Sequence, residues 1–412
     1  MLLASLYFAE GAPIGWLWWA LPTRLRASGA SVAEITALTA ALALPWSFKF
    51  LWAPLVDGLR GPRWGLRAWA LTAQLGMTLS LLPLLGGVDL GDPVALLPVL
   101  LVHAVCAATQ DVAIDGLAVR ALPLDERGGA NGWMQVGMLA GRGLFGGLAL
   151  RAEDWIGVHG VVLALMAATL WSSLLLAFAA REPASARAEL TTQPRLGARM
   201  ASLGRALLGL LRSRRVLAGA GFALLGGAGF EALGGTSRSL LVDLGVERAS
   251  IGDFFALPVI LCMASGALLG GRWADARPRA RAARDALLWV SASVLAAAAA
   301  VLLRLDTAVV LGTLALAYVT LGMLTAASYA LFMDLCEPRV AATQFSAFMG
   351  LTNLCETGAV WGAGLFIASR GEAPSAYATA WVLLVGVSLL ALPLLRALAA
   401  PGDPPSADTP PH

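Results

Sequence analysis

Two carboxylates lie one helical turn apart inside a long apolar run. The segment TQDVAIDG, residues 109–116, holds Asp111 and Asp115, and a spacing of four residues places both side chains on one face of a helix. A carboxylate in hydrocarbon costs on the order of 3 kcal/mol or more. Acids in such a place therefore indicate a polar path through a membrane and the chemistry of proton transfer.

Charges in two other apolar runs fall at the same height as Asp111. Counted at about 1.5 Å per residue from the predicted cytoplasmic helix ends, Glu10 and Lys49 share its level. Because Lys49 can neutralise only one carboxylate, another acid is left to carry a transferable proton. We therefore predict a cluster in which Asp111 and Glu10 couple transport to protons. The alternatives are a fixed ion pair for Asp111 and a Lys49 side chain that extends to the cytoplasmic surface.

A second set of charges lies deeper, at roughly 20–23 Å by the same helical rise. Arg142 has no route to either surface from this depth, so it requires an anionic partner, either the substrate or Glu356. Amide side chains can line the same cavity or only bridge helices. The predicted substrate-binding residues are Arg142, Lys49, Glu231, Glu356, Gln135, Asn131 and Asn353.

The composition requires that lipid be part of the solvent. Of the 412 residues, 58% are hydrophobic and 13% are charged, against about 25% charged in soluble domains. The net charge of +3 argues against nucleic acid as a partner. The three histidines lack metal-ligand spacing and no ATP-binding motif is present, so we expect no cofactor.

Twelve apolar runs are long enough to cross a bilayer as helices. Six of them fill residues 1–180 and six fill residues 216–399, which predicts an all-α integral membrane protein with two six-helix bundles. Residues 181–215 are predicted to be a polar linker with an interfacial helix, and residues 400–412 are expected to be a disordered tail. The runs are 2–25, 32–55, 68–87, 93–119, 129–150, 156–180, 216–240, 250–271, 285–303, 307–333, 341–369 and 375–399.

The connecting loops indicate orientation and internal symmetry. Arg residues concentrate in the loops on the linker's side of the bilayer, which places the linker and both termini in the cytoplasm. Asp57 and Asp275 both precede several Arg residues and lie 218 residues apart, while Glu10 and Glu231 lie 221 apart. A recurring offset of this kind is typical of transporters built from two repeats.

Three segments carry a more specific resemblance: PWSFKFLWAPLVD (45–57), TQDVAIDGLAV (109–119) and DERGGANG (125–132). They resemble the branch of the major facilitator superfamily that holds muropeptide permeases, acetyl-coenzyme A transporters and siderophore permeases. The resemblance implies the major facilitator fold and a cytoplasmic gate that closes while the site is open outward. Asp115, close to Arg120, is assigned to this gate. The predicted gate residues are Asp57, Arg63, Arg67, Asp115, Arg127, Asp275, Arg277 and Arg339.

The expected function is proton-coupled secondary transport of a small molecule by alternating access. By resemblance, the protein would be a monomer in a bacterial inner membrane that imports a bulky organic anion such as a muropeptide or siderophore. An efflux pump of the same fold is the first alternative. A membrane-embedded acyltransferase using His103 and a sensor that has lost transport are the others, and we expect no enzymatic activity.

Overall fold

The computed structural model describes residues 2–28, 32–61, 64–179, 213–371 and 373–399. These residues form helices and their connections, and the one β-type pairing among them is an isolated bridge between Gly61 and Trp64. Most of the predicted linker (181–215), the predicted tail (400–412) and Arg63 lie outside the described residues.

Six helices, α1–α6, precede the linker. Several are interrupted by short 3-10 or π-helical turns, and Gly157 (φ 68°, ψ 168°) separates α5 from α6 within one long segment. The bounds are α1, Leu2–Gly15, Trp16–Ala20 and Leu21–Ala27; α2, Val32–Phe48, Lys49–Leu51 and Ala53–Gly58; α3, Leu66–Ser80 and Leu82–Leu85; α4, Pro93–Ala121; α5, Arg127–Gly143, Leu144–Leu148 and the start of Ala149–Ala179; and α6, the rest of that segment.

Six further helices, α7–α12, follow the linker. They are α7, Arg214–Leu225 and Ala228–Asp243; α8, Arg248–Ala256 and Pro258–Asp275; α9, Arg279–Leu302; α10, Thr307–Leu335; α11, Ala341–Ser369; and α12, Pro374–Leu389 and Leu392–Ala399. The order and positions confirm the fold predicted from the apolar runs, with twelve helices in two six-helix bundles.

Length and hydropathy alone identify eight helical stretches of the described residues as able to cross a membrane. They cover α3, α4, α6 to α10 and α12. The other helices, α1, α2, α5 and α11, fall outside these criteria of uninterrupted length, hydropathy and charge.

Glycines let helices within each bundle touch backbone to backbone. A β-carbon at Gly137 of α5 would overlap the carbonyl oxygen of Ala4 in α1, and one at Gly266 of α8 would overlap that of Val319 in α10. Within lipid the hydrophobic effect does not drive helices together, and small residues allow the close backbone packing that does.

The bundles meet mainly through α5 against α8 and α10, and through α11 against α2 and α4. At the side where α6 ends and α7 begins, called here the linker side, the backbones touch. A β-carbon at Gly128 would overlap the carbonyl oxygen of Gly271, and one at Gly116 would lie 2.9 Å from Cβ of Ala342. The cleft between the bundles is closed at this side.

Two π-helical turns lie beside each other further up the N-terminal bundle. Trp16–Ala20 interrupts α1 and Leu144–Leu148 interrupts α5, and the two turns are in contact. Both come just after a close approach of these helices, where Gly15 meets the backbone of Arg142.

Candidate functional site

A buried ion pair links helices α2 and α4 of the N-terminal bundle. Lys49 of α2 contacts Asp111 of α4 in a short ion pair, and its Nζ lies 3.6 Å from Oδ2 of Asp115. The exposed fractions are 2% for Lys49, 5% for Asp111 and 1% for Asp115. The one lysine of the chain is therefore surrounded by protein and faces two carboxylates one turn apart.

A local change of helix type positions Lys49. The α-helical part of α2 ends at Phe48 and a 3-10 turn carries Lys49–Leu51. Directly after this turn, Nε1 of Trp52 donates to Oγ1 of Thr109 on α4 at 3.1 Å. The turn is thus tied to the helix that carries its two acidic partners.

Helix α1 adds a hydroxyl and a third carboxylate. The Tyr7 hydroxyl donates to Oδ1 of Asp115 at 2.5 Å. Glu10 is 3% exposed, and its Oε2 has no hydrogen-bond partner. It lies within electrostatic range of Asp111, Asp115, Lys49 and Arg142. Together, Tyr7, Glu10, Lys49, Asp111 and Asp115 form what we call the acid–lysine cluster.

The sequence predicted three members of this cluster and misplaced a fourth. Glu10, Lys49 and Asp111 meet inside the bundle, whereas Asp115, assigned to the gate beside Arg120, also lies here because Tyr7 and Lys49 hold it. Tyr7 was not predicted. Its spacing of three residues from Glu10, which puts both on one helix face, is the signal that identifies it.

A second group, Arg142, Glu231 and Glu356, lies deeper between the bundles. Arg142 is within electrostatic range of Glu356, which in turn interacts with Glu231. Among the described residues, no ion pair within 4.0 Å involves any of the three. Arg142 and Glu231 are half-buried and Glu356 is exposed. We call these three residues the charged cleft residues.

The three predicted amide residues occupy different environments. Asn131 donates to the carbonyl of Arg127 and to Sδ of Met333, so it joins the bundles near the linker side. Gln135 is 8% exposed, with an unpartnered Nε2. Asn353 is half-buried on α11, three residues before Glu356.

Two aspartates close the linker side by capping a helix of the opposite bundle. Oδ2 of Asp57, at the end of α2, accepts from N and Oγ1 of Thr343 in the first turn of α11, both at 2.8 Å. Asp275, at the end of α8, accepts from N of Gly128 at 2.7 Å and N of Gly129 at 2.5 Å in the first turn of α5. Free N–H groups and the helix dipole favour a carboxylate at both places.

An arginine–aspartate network lies between these caps. Nη1 of Arg127 is 2.9 Å from Oδ1 of Asp334 on α10, and Nε of Arg279 is 3.3 Å from Oδ2 of the same residue. Arg127 also donates to the carbonyl of Val119 at 2.7 Å, and Arg279 binds Asp275 at 2.8 Å. With the two caps, this network forms the linker-side gate.

Several predicted gate residues lie elsewhere. Arg277 stacks 3.7 Å from the ring centre of Trp273 and is 3.6 Å from Asp285, within the C-terminal bundle. Its predicted place is taken by Arg279, the first residue of α9, which reaches back across the turn to Asp275 at the end of α8. Arg67 donates to the carbonyl of Ala177 inside the N-terminal bundle.

Other parts of the predicted gate are only partly described. Arg339 belongs to the 3-10 turn Pro338–Val340 before α11, and its side chain lies outside the described part. Asp57 instead has Arg60 beside it, with Nε donating to its carbonyl at 2.7 Å. In the described residues, no three His, Cys, Asp or Glu side chains are arranged to hold a metal ion.

Known proteins match both the sequence and the fold. A family model described as Major Facilitator Superfamily matches residues 3–363. The anhydromuropeptide permease of Escherichia coli K12 is 35% identical over 139 residues, which span 33% of this chain and 28% of the permease. The chain is thus aligned with less than a third of that relative's length.

Solved transporters share the fold over nearly the whole chain. The proton:xylose symporter XylE, bound to 6-bromo-6-deoxy-D-glucose, superposes with a TM-score of 0.72 at 13% identity, covering 96% of this chain and 94% of its own. A bacterial homologue of ferroportin in the outward-facing state gives 0.72 at 14% identity, covering 97% and 98%. At such identities the likeness establishes the fold and leaves the cargo open.

Proposed function

The chain belongs to the Major Facilitator Superfamily of transporters, and we propose that it imports a bulky organic solute, such as a muropeptide or a siderophore, together with protons. In this proposal the linker side faces the cytoplasm of a bacterial cell. The protein works as a monomer by alternating access, in which the two bundles rock about the solute between them.

The observation that carries proton coupling is the excess of acid in the acid–lysine cluster. Three carboxylates share one lysine, and Oε2 of Glu10 is buried without a partner. A buried charge without a partner is expensive, and a proton removes that cost. Closing the cleft over Glu10 is therefore easier when Glu10 carries a proton, which ties solute movement to proton movement.

Asp111 contributes through its pairing with Lys49. If Lys49 exchanges partners between Asp111 and Asp115, the released carboxylate becomes a second place for the proton. The short Lys49–Asp111 contact and the 3.6 Å Lys49–Asp115 separation support such an exchange, since one lysine lies within ion-pair reach of both acids.

The linker-side gate supplies the other half of the cycle. Its caps and arginine–aspartate network hold the cytoplasmic side closed in this conformation. The two caps and the Arg127–Asp334 pair join opposite bundles, so rocking must break them together. Solute and proton binding must then offset their loss.

The cargo is inferred from charge and from a relative. Arg142 offers a counter-charge for an anionic group, and the relative matched over part of its length is a permease for anhydromuropeptides. Siderophores are included as candidate cargo because the sequence motifs resemble those of siderophore permeases. Import is the direction implied by the resemblance of the sequence motifs.

Uptake into proteoliposomes tests the proposal. Labelled anhydromuropeptide, siderophore and acetyl-coenzyme A are offered with and without an inward proton gradient. We expect one solute to accumulate only with the gradient, and Glu10→Gln and Asp111→Asn to reduce that accumulation at least about tenfold, as expected for loss of a proton-transfer group. Glu247→Gln, at an exposed position between α7 and α8, is the matched control. Accumulation that ignores the gradient, or a normal Glu10→Gln variant, contradicts proton coupling.

A further inference from the structure

Arg142 and Glu356 occupy equivalent positions in the two bundles. Helix α5 begins at Arg127 and α11 at Ala341, so each charged residue comes 15 residues after the start of its helix. At about 1.5 Å per residue, both lie near 22 Å above the linker side. The pseudo-symmetry of the fold thus places a cation on one wall of the cleft and an anion on the other.

Both charges are available to a ligand. Neither has an ion-pair partner within 4.0 Å among the described residues, in contrast to Lys49 and to the arginines of the gate. Glu231 adds a second carboxylate to the C-terminal wall, where α7 and α11 meet. A β-carbon at Gly227 would lie 3.6 Å from Oε1 of Glu231 and 3.8 Å from Sγ of Cys355.

The N-terminal wall also offers buried donors that lack acceptors. Nε of Arg142 is buried and unpartnered. Gln135 precedes Arg142 by two helical turns on the same face, is 8% exposed, and has an unpartnered Nε2. Buried donors of this kind are rare in proteins unless something else satisfies them, and they call for a ligand with acceptor oxygens.

The two walls of the cleft are therefore suited to ligand groups of opposite charge. The α5 wall presents donors and one positive charge, whereas the α7–α11 wall presents two carboxylates. A solute that is only an anion would satisfy Arg142 and leave Glu231 and Glu356 facing a closing cleft. Since an unpaired charge becomes more costly as water is excluded, such a solute opposes closure.

We propose that the transported solute is a zwitterion, held by its carboxylate or other anionic group at Arg142 and Gln135 and by a protonated amine at Glu356 and Glu231. This inference rests on the proposed transport function and names its substrate class. The solute bridges the walls, so its two charges draw the bundles together and help to close the cleft.

Exchange across proteoliposomes tests the charge requirement without any proton gradient. The liposomes are loaded with unlabelled solute, the gradient is collapsed with an ionophore, and entry of labelled solute is measured. The probes are a free dipeptide panel and three forms of anhydromuropeptide: intact, N-acetylated and carboxyl-amidated. We expect each blocked form to exchange about ten- to a hundredfold more slowly than the intact one, as for loss of a hydrogen bond to a charged group.

Variants of Arg142 and Glu356 test which residue binds which charged group of the solute. Glu356→Gln should abolish discrimination against the N-acetylated form and keep discrimination against the amidated form, whereas Arg142→Gln should do the reverse. Each readout is a ratio of two probes on one variant, so a loss of folded protein cancels. The double exchange of Arg142→Glu with Glu356→Arg should recover part of the exchange lost in the single variants. Arg151→Gln and Glu247→Gln are controls outside the cleft.

The outcomes separate this inference from the transport proposal. Equal exchange of intact and N-acetylated forms, or no exchange of any zwitterionic probe, overturns the zwitterion assignment. Exchange that requires both charges while accumulation ignores the proton gradient would support the substrate class and contradict proton coupling.

Discussion

Helices α4 and α10 occupy matching places in the two bundles, and each is 29 residues long. Where α4 carries Asp111 and Asp115, α10 carries Thr325 and Tyr329. At the linker side, by contrast, the bundles behave alike, since Asp57 caps α11 and Asp275 caps α5. The two bundles thus use equivalent aspartates to close the linker side, but only the N-terminal bundle buries carboxylates on this helix.

The difference shows where this fold can specialise. Gate contacts must form on both sides of the pseudo-twofold axis to seal one face, so equivalent acids serve both. A buried charged cluster is costly, and the acid–lysine cluster is confined to one bundle, where it moves as part of that unit. The C-terminal bundle approaches it with Tyr329, a neutral group within electrostatic range of Lys49 and Asp115.

The largest effect is expected from removing the lysine. Lys49→Met leaves Asp111 and Asp115 buried without their cation, and breaking such a pair costs about 3–5 kcal/mol. We expect a large drop in the melting temperature of the detergent-solubilised protein, partly recovered in Lys49→Met/Asp111→Asn. Thr325→Val, at the matching place of α10, should cost less than about 1 kcal/mol. Similar losses for both variants would remove the contrast between the bundles.

Next in size is the effect of the two caps. Asp57→Asn and Asp275→Asn each weaken a carboxylate bond to a helix N-terminus, worth about 1–2 kcal/mol, and should populate the conformation open at the linker side. Cys336, 7% exposed at the end of α10, reports this opening. With the other three cysteines replaced by serine, we expect maleimide labelling to rise about tenfold in either variant. A rise in only one would show that the caps are not equivalent.

Two neighbouring arginines sharpen the description of the gate. Arg279→Gln removes contacts to Asp275, to Asp334 and to the carbonyl of Leu124 in the opposite bundle. It should raise Cys336 labelling severalfold, which corresponds to about 1 kcal/mol. Arg277→Gln changes a surface pair and should alter stability by less than about 0.5 kcal/mol. Equal labelling of both variants would contradict the assignment of Arg279 to the gate.

The smallest difference in stability is expected between two tyrosine–aspartate hydrogen bonds, one in each bundle. Tyr7 donates to the buried Asp115, while Tyr377 donates at 2.7 Å to the exposed Asp243. Tyr7→Phe should cost about 1–2 kcal/mol because Asp115 has no water to replace the hydroxyl. Tyr377→Phe should cost about 0.5 kcal/mol or less. Thermal melting of the two variants measures the difference, and an equal or reversed order would contradict the burial argument.

The sequence predicted the helices and their grouping because apolar run length reports membrane crossing directly. It also predicted that Glu10, Lys49 and Asp111 lie at one height, since helical rise converts residue number into depth. The height of a residue along its helix does not say which way the helix is rotated or which helices lie beside it. Asp334 and Tyr7 were therefore missed, and Arg277 was chosen over Arg279 because a turn residue and the first residue of the next helix cannot be ranked by spacing.

The paired π-helical turns of α1 and α5 have a mechanical consequence. A π-helical turn holds extra residues relative to an α-helical one and is often found at functional positions. Shifting or rewinding it turns the helix beyond it by about 100° per residue. Below these turns the two backbones are locked by glycine contacts. We therefore expect the parts of α1 and α5 beyond the turns to rotate more easily than the parts locked by glycine contacts, so that the far end of the cleft can change shape while the acid–lysine cluster keeps its geometry.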